Sequence, residues 1–270
     1  MLHLWVGRAG AGKTARVLET IKKNRTRRGQ ILIVPEHVSH EAEVALCHAL
    51  GDTASRNAEV LSLRNLSGRV LGEVGGLSDF TLDGGGKLLT MRMALQEVGS
   101  SLRVFDNPSR RAAFLEQLVA LMDELYAYEI PPQELYARVQ EAPGQEGDKL
   151  RDVALLYAAY DARLRSGGRD ARSRVQKLRD ALPQASYLRG KDVYFDGFSY
   201  FNKTEEGILL TALTQAESVT VTLLGDRSAA EIFQNALRQR QRLVRMAQQV
   251  GCRCTMEFME PTGDTALVHL

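Results

Sequence analysis

The chain has 270 residues, 44% hydrophobic and 25% charged, with a formal net charge of +2. That length supports one large domain or two smaller ones with ample core, and charge this balanced makes no case for nucleic-acid binding by itself. No stretch approaches the roughly 18 apolar residues of a membrane span, the N-terminal apolar run is too short for a secretory signal, and Cys47, Cys252 and Cys254 suggest no disulfide framework, so a cytoplasmic protein without membrane association is expected.

Met1 to Val6 is an apolar, strand-like run. It leads into Gly7-Arg8-Ala9-Gly10-Ala11-Gly12-Lys13-Thr14, which fits G-x-x-x-x-G-K-[ST] at every required position. A helix-like run follows, with Val17, Leu18 and Ile21 on one face. Strand, glycine-rich turn and helix in that order are the setting of a phosphate-binding loop. Its glycines let the backbone turn N–H groups toward phosphate oxygens, and the helix aims its positive end at the same anion. Lys13 would reach the β- and γ-phosphates of ATP, and the Thr14 hydroxyl would sit on Mg²⁺.

Arg25 to Gly29 reads as a basic turn, and Ile31 to Val34 as a buried parallel strand stopped by Pro35. From Val38, apolar residues recur at helical spacing through Leu50. Val60 to Leu63 reads as a strand, Leu66 to Val74 as a helix, and Gly84-Gly85-Gly86 as a loop. Residues 88–186 hold no convincing strand. Asn107-Pro108 can start a helix whose apolar face is Phe114, Leu118, Leu121, Met122 and Leu125. Pro131-Pro132, Ala142-Pro143-Gly144 and Ser166-Gly167-Gly168 break the helices that follow, and Arg169 to Leu182 resumes.

Alternation returns at Val193 to Phe198. Thr204 can cap a helix with Glu205 and Glu206 in its first turn, and Val219 to Leu224 is a β-branched strand. Ser228 to Glu231 is a capping box for a helix carrying Phe233, Leu237, Val244, Ala247 and Val250 inward until Gly251. Cys252 to Met259 reads as a last strand. Cys252 and Cys254, close together on such a strand, are not promoted to a cluster site. His37 and His40 fall three apart on a helix, but no further ligand pattern completes a metal site.

Asp196 ends an apolar run, where a phosphate-loop enzyme needs an acidic residue to hold Mg²⁺ through water. Motor enzymes of this kind commonly carry Glu next, to polarise the attacking water. Here the position is Gly197. Loss of such a base typically costs about 10²–10⁴-fold, so no catalytic residue is assigned.

The runs G-R-A-G-A-G-K-T, I-L-I-V-P-E-H at 31–37, V-L-S-L-R-N-L-S-G-R-V-L at 60–71 and V-Y-F-D-G-F-S-Y-F at 193–201 resemble the B subunit of bacterial ATP-dependent helicase/deoxyribonuclease complexes, the AddB/RexB family. The resemblance implies an α/β fold: a P-loop NTPase domain, RecA-like and superfamily 1 helicase-like, with a parallel sheet formed by residues 1–87 and 187–270. A helical subdomain at 88–186 interrupts it. It implies further that the chain is the N-terminal part of a much longer protein. That protein would work with an A subunit, the helicase-nuclease, to process double-strand DNA ends for recombinational repair. ATP and Mg²⁺ are the implied cofactors. The family's nuclease domain and iron–sulfur cluster would lie outside this chain. By position in such cores, Ser62, Arg64 and Asn65 are candidate DNA contacts.

Beside a non-enzymatic scaffold that no longer binds nucleotide, two further readings stay open on the residues alone. One is a competent ATP-driven DNA translocase in which Glu36, Glu205 or Glu206 serves as base. The other is a small-molecule kinase with a lid at Arg165 to Arg169.

Overall fold

A computed structural model describes residues 1–24, 29–51, 58–76, 82–105, 112–139, 142, 144–166, 174–227 and 234–260. The chain divides into two compact units. One comprises Met1–Val74, Leu178–Phe201 and Glu205–Leu270; the other comprises Gly75–Lys177 with Asn202–Thr204.

The first unit is built on six strands: β1 (Leu2–Gly7), β2 (Gln30–Ile33), β3 (Ala58–Leu61), β4 (Asp192–Phe195), β5 (Ser218–Leu224) and β6 (Cys254–Met259). They form one parallel sheet in the order β3-β2-β4-β5-β1-β6. The pairings Trp5 with Thr222, Phe195 with Val221 and Ile33 with Phe195 set its register. Continuous burial of β2 and β4 explains their unbroken apolar sequences, since helices must cover both faces of a parallel sheet.

Helices α1 (Lys13–Lys23), α2 (Ser39–Leu50) and α3 (Leu63–Val74) alternate with the first strands. On one face of the sheet, Val17 and Ile21 of α1 and Leu46 of α2 close over Trp5, Leu32, Val60 and Tyr194. The strand expected at 60–63 is Ala58–Leu61, and the helix expected from Leu66 starts at Leu63. The cause is Ser62. Its hydroxyl accepts the Asn65 N–H at 3.2 Å and its carbonyl accepts the Leu66 N–H at 2.8 Å, so the first helical turn is already paired.

The second unit is helical among its described residues: α4 (Gly84–Val98), α5 (Ala112–Ala127), α6 (Pro132–Val139) and α7 (Gly144–Ser166). Its core is Met91 and Leu95 from α4, Leu118, Met122 and Leu125 from α5, and Leu156, Tyr157 and Tyr160 from α7. Phe114 and Leu121 are partly buried against it. Gly84 to Gly86 are not a loop: they form the first turn of α4, because the Asp83 carboxylate accepts the Gly86 N–H at 2.7 Å. A good N-cap outweighs the poor helix propensity of glycine. Asp152, fully buried, accepts the backbone N–H groups of Arg103, Val104 and Phe105.

Helix α8 spans Arg174–Ala181 and ends one residue before the expected Leu182, while its expected start at Arg169 lies outside the described residues. Helix α9 (Lys203–Gln215) begins one residue before Thr204. Thr204 is therefore inside the first turn, and its hydroxyl donates to the Ala127 carbonyl at 3.1 Å instead of capping. Helix α10 (Gln234–Gln249) packs on β5 and β6. It buries Gln239, Leu243, Met246 and Ala247, while Leu237, Val244 and Val250 are only partly covered. The last strand begins at Cys254 rather than Cys252. The expected helix start at Asn107-Pro108, the glycine break at 167–168 and the capping box at 228–231 lie outside the described residues. Among the described residues, no helix is long and apolar enough to cross a membrane.

Candidate functional site

Because every strand runs the same way, β1, β4 and β5 all end at one edge of the sheet. Strand β5 lies between β4 and β1. This edge therefore gathers the turn after Gly7, the turn after Phe195 and the turn after Leu224. Crevices beyond the carboxyl ends of parallel strands are where such sheets place ligands.

The turn after β1 is shaped by glycine. Gly10 and Gly12 have φ of 78° and 75°, in the left-handed region that other residues avoid. At Gly7 the backbone is crowded instead: an added Cβ would lie 2.9 Å from that of Ala11 and 3.1 Å from the Met259 carbonyl oxygen. Gly12 precedes α1 without any side-chain cap, and the first turn of α1 holds no acidic residue. That helix end thus offers backbone N–H groups and positive potential undiminished by a carboxylate.

Lys13 folds back over the turn. Its amine donates to the carbonyls of Gly7 and Arg8, each at 2.8 Å. Burial pushes this amine below the ordinary lysine value, and the nearby Asp196 charge opposes the shift. Among the described ion pairs, none joins Lys13 to Asp196. Thr14 donates its hydroxyl to Asp196 Oδ2 at 2.7 Å. Asp196 is 5% exposed, and its other oxygen accepts from the Thr222 hydroxyl on β5. The Asp196 N–H donates to the Ile33 carbonyl at 3.0 Å, continuing the β4–β2 ladder. A carboxylate so held is fixed in direction, facing the threonine at the start of α1. The arrangement suits a polyanion with a hydrated divalent cation: an amine and helix N-terminus for the first, a hydroxyl and carboxylate for the second.

Gly197, in the position next to Asp196, has φ of 80°. Of the alternative carboxylates, Glu36 follows Pro35 at the end of β2, is exposed, and has its carbonyl bonded to the Ser39 hydroxyl at 2.9 Å. Pro35 lies beside Gly197: an added Cβ there would meet the Pro35 Cδ at 3.5 Å. Glu206 is committed to Arg242 at 2.9 Å.

Ser62, Arg64 and Asn65 are not gathered with this group. They follow β3, four strand spacings from β1, or about 19 Å at roughly 4.8 Å per spacing. Ser62 is buried in its cap, whereas Arg64 and Asn65 are exposed. His37 and His40 are exposed, and the described residues contain no group of three metal-ligating side chains. Two members of the site have no counterpart in the motif reading. One is Thr222, the second support of Asp196. The other is Asp226, which binds Arg8 of the loop at 2.8 Å. Position alone could have pointed to them, since both belong to the strand and turn lying between β4 and β1.

The profile of the family described as "ADDB, N-terminal" matches residues 4–269. The chain belongs to this family. It is 33% identical to the B subunit of the ATP-dependent helicase/deoxyribonuclease of Geobacillus thermodenitrificans (strain NG80-2) over 238 residues, covering 84% of this chain and 20% of that protein. It is 34% identical over 233 residues to the corresponding B subunit of Desulforamulus reducens, and 35% identical over 233 residues to that of Pelotomaculum thermopropionicum. Each of those two alignments covers 83% of this chain and 20% of the relative. The chain thus spans about a fifth of the length of the relatives it matches.

Proposed function

We propose that this chain is the N-terminal helicase-like region of a B subunit that acts with an A subunit, the helicase-nuclease, on double-strand DNA ends. In this reading the sheet-bearing unit is a RecA-like P-loop domain of the superfamily 1 helicase type and the helical unit is its insertion. Residues Gly7 to Thr14 hold the phosphates of ATP. Lys13 neutralises them, and Thr14 and Asp196 hold Mg²⁺, the aspartate through water. When bound, the cation supplies charge neutralisation between phosphate oxygens.

The observation that carries the reading is the Lys13–Thr14–Asp196–Thr222 arrangement at one strand edge. The motif residue and the acidic residue are 182 positions apart in sequence and meet in a hydrogen bond. Turnover is expected to be weak or absent, since Gly197 carries no carboxylate and Glu206 is spent on Arg242. Arg64 and Asn65 are proposed to touch DNA from the far end of the same edge. Ser62 contributes there as the helix cap that presents them. Phosphate contacts of this kind weaken steeply with salt. A protein acting on DNA in this way works in the cytoplasm.

The test is thermal stability with and without Mg-ATP, for wild type and Lys13→Ala. A ligand at about 100 times its Kd adds roughly 2.7 kcal/mol to the folded state. Stabilisation present in the wild type and lost in Lys13→Ala is the expected result. An identical melt with and without millimolar Mg-ATP would remove the nucleotide from the proposal.

A further inference from the structure

Arg8 is the second residue of the loop, and its two ends face opposite ways. Its carbonyl accepts the Lys13 amine at 2.8 Å. Its guanidinium reaches to the turn after β5, where Nε and Nη2 donate to one oxygen of Asp226 at 3.1 and 2.8 Å. The Arg8 side chain is 43% exposed and that of Asp226 only 16%. A backbone bond runs beside the pair, from the Gly225 N–H to the Gly7 carbonyl at 3.2 Å. The turn after β5 is therefore fastened to the loop twice. Beyond it, the Arg227 guanidinium lies 5.6 Å from the centre of the Phe258 ring on β6, and Arg240 of α10 lies 5.5 Å from the same ring.

This ion pair has the makings of a competition. Both Arg8 contacts converge on a single carboxylate oxygen, so the forked geometry that makes arginine–carboxylate pairs strong is not used. A partly exposed pair of this kind is weakly held. A terminal phosphate brings more negative charge and three acceptor oxygens to a guanidinium whose own backbone is one hydrogen bond from Lys13. Asp226 offers one charge at the same place. Resting on the nucleotide reading above, we infer that Arg8 is a sensor of the terminal phosphate: Asp226 competes with that phosphate for the guanidinium, and a triphosphate draws it away. The transfer removes one of the two fastenings between the loop and the turn at 225–227 and leaves the backbone bond from Gly225 to Gly7. Arg8 then becomes a positioning and specificity residue that favours triphosphate over diphosphate.

The experiment titrates the full chain with fluorescent adenosine tri- and diphosphate in Mg²⁺. Asp226→Asn removes the competitor and is expected to tighten the triphosphate by roughly two- to fivefold, the range that a surface ion pair represents. Arg8→Gln is expected to weaken the triphosphate by a similar factor and to shrink its preference over the diphosphate. In the double variant the gain from Asp226→Asn disappears. A purely structural pair predicts otherwise: both single variants lower the melting temperature, and neither changes the preference. Asp226→Asn binding the triphosphate no tighter than wild type overturns the sensor. Should that variant not fold, Arg8→Gln, which alters an exposed side chain, decides the matter by the preference alone. Lys13→Ala separates the two levels. If wild type binds neither nucleotide in a Lys13-dependent way, the site reading falls and the sensor falls with it. If it binds both but Arg8→Gln keeps the wild-type preference, only the sensor falls.

Discussion

If the proposed reading holds, Gly197 stands where helicase-type phosphate-loop enzymes commonly carry a glutamate, and Gly197→Glu is the substitution that would restore it. The backbone argues that Gly197→Glu fails. Residue 197 has φ of 80°, and a residue with a Cβ in the left-handed region costs roughly 1–2 kcal/mol. Space is not the obstacle, since the added Cβ would sit 3.5 Å from the Pro35 Cδ, ordinary contact. The penalty is therefore conformational and should be nearly the same for Gly197→Ala and Gly197→Glu. Each kcal/mol lowers the melting temperature of a domain this size by about 2–4 °C. Asn tolerates the left-handed region best among other residues, so Gly197→Asn should fall least. Relief of the strain would have to move the neighbouring Asp196, whose two oxygens are aligned by Thr14 and Thr222. No gain in Mg-ATP hydrolysis is expected from the glutamate. The assay is a thermal melt of the three variants without nucleotide, followed by phosphate release with Mg-ATP. Ala and Glu variants that melt with the wild type would refute the reasoning, because the backbone at 197 would then not require glycine.

In the helical unit, Asp152→Asn keeps the side-chain shape but removes the charge that gathers three backbone N–H groups, and turns an amide donor toward them. Hydrogen bonds to a charged group are worth about 1.5–3 kcal/mol each, so a loss of roughly 2–4 kcal/mol in urea unfolding is expected; a loss below about 0.5 kcal/mol would show that water replaces the carboxylate. Tyr157 gives a pH dependence. Burial first, and then the charge of Asp161, push its phenol up to about 12. Because the folded-state value lies above the ordinary one near 10, the neutral phenol contributes stability in full below pH 10. That contribution is lost as pH rises from about 10 through about 12. Tyr157→Phe should cost about 1 kcal/mol at neutral pH, by losing the hydroxyl's bond to the Ile130 carbonyl, and should flatten the alkaline slope. Parallel alkaline slopes for the two proteins would assign the loss to other groups.

Much of the fold was legible because the period of apolar residues is a local property. The apolar runs expected at 31–34, 193–195 and 219–224 fall in strands, the first ending at Ile33, and the face marked by Leu118, Met122 and Leu125 is core. The departures come where a single polar side chain outweighs propensity. Asp83 starts a helix on three glycines, Ser62 starts one at Leu63, and Thr204 gives its hydroxyl to Ala127 rather than to its own helix end. In each case the deciding bond depends on where a side chain points, which composition does not encode. Helix α10 is a different kind of case. Its sequence spacing favours Leu237, Val244, Ala247 and Val250 beside Phe233, which lies outside the described residues; of these Ala247 is buried, and the other buried positions are Gln239, Leu243 and Met246. Arginines at 238, 240, 242 and 245 leave two adjoining stripes nearly as apolar as each other, and only the sheet beneath selects one.

The site was legible in part, for a reason that follows from the strand order. Glycine-lysine-threonine after a strand is a contiguous pattern, and an acidic residue ending an apolar run is nearly so. Both could be read without knowing that they meet. What lies between them could not. Strand β5 is fifth in sequence but sits between β4 and β1 in space, so its residues approach partners far away in the chain. Thr222 meets Asp196 across 26 positions and Asp226 meets Arg8 across 218. Nothing in Thr220-Val221-Thr222-Leu223 distinguishes a threonine that supports a carboxylate from one that merely favours a strand. Inserting a strand between the glycine-rich loop and the acidic residue also has a geometric consequence. At about 4.8 Å per spacing, Asp196 starts two spacings from the loop, roughly 10 Å away. The Lys13 amine does not cross that interval, because it is turned back onto the carbonyls of Gly7 and Arg8. Thr14, carried forward by the first turn of α1, closes that gap with its hydroxyl. It is the fold of Lys13 onto its own loop, rather than distance, that keeps its amine from an ion pair with Asp196, whose charge still acts on it.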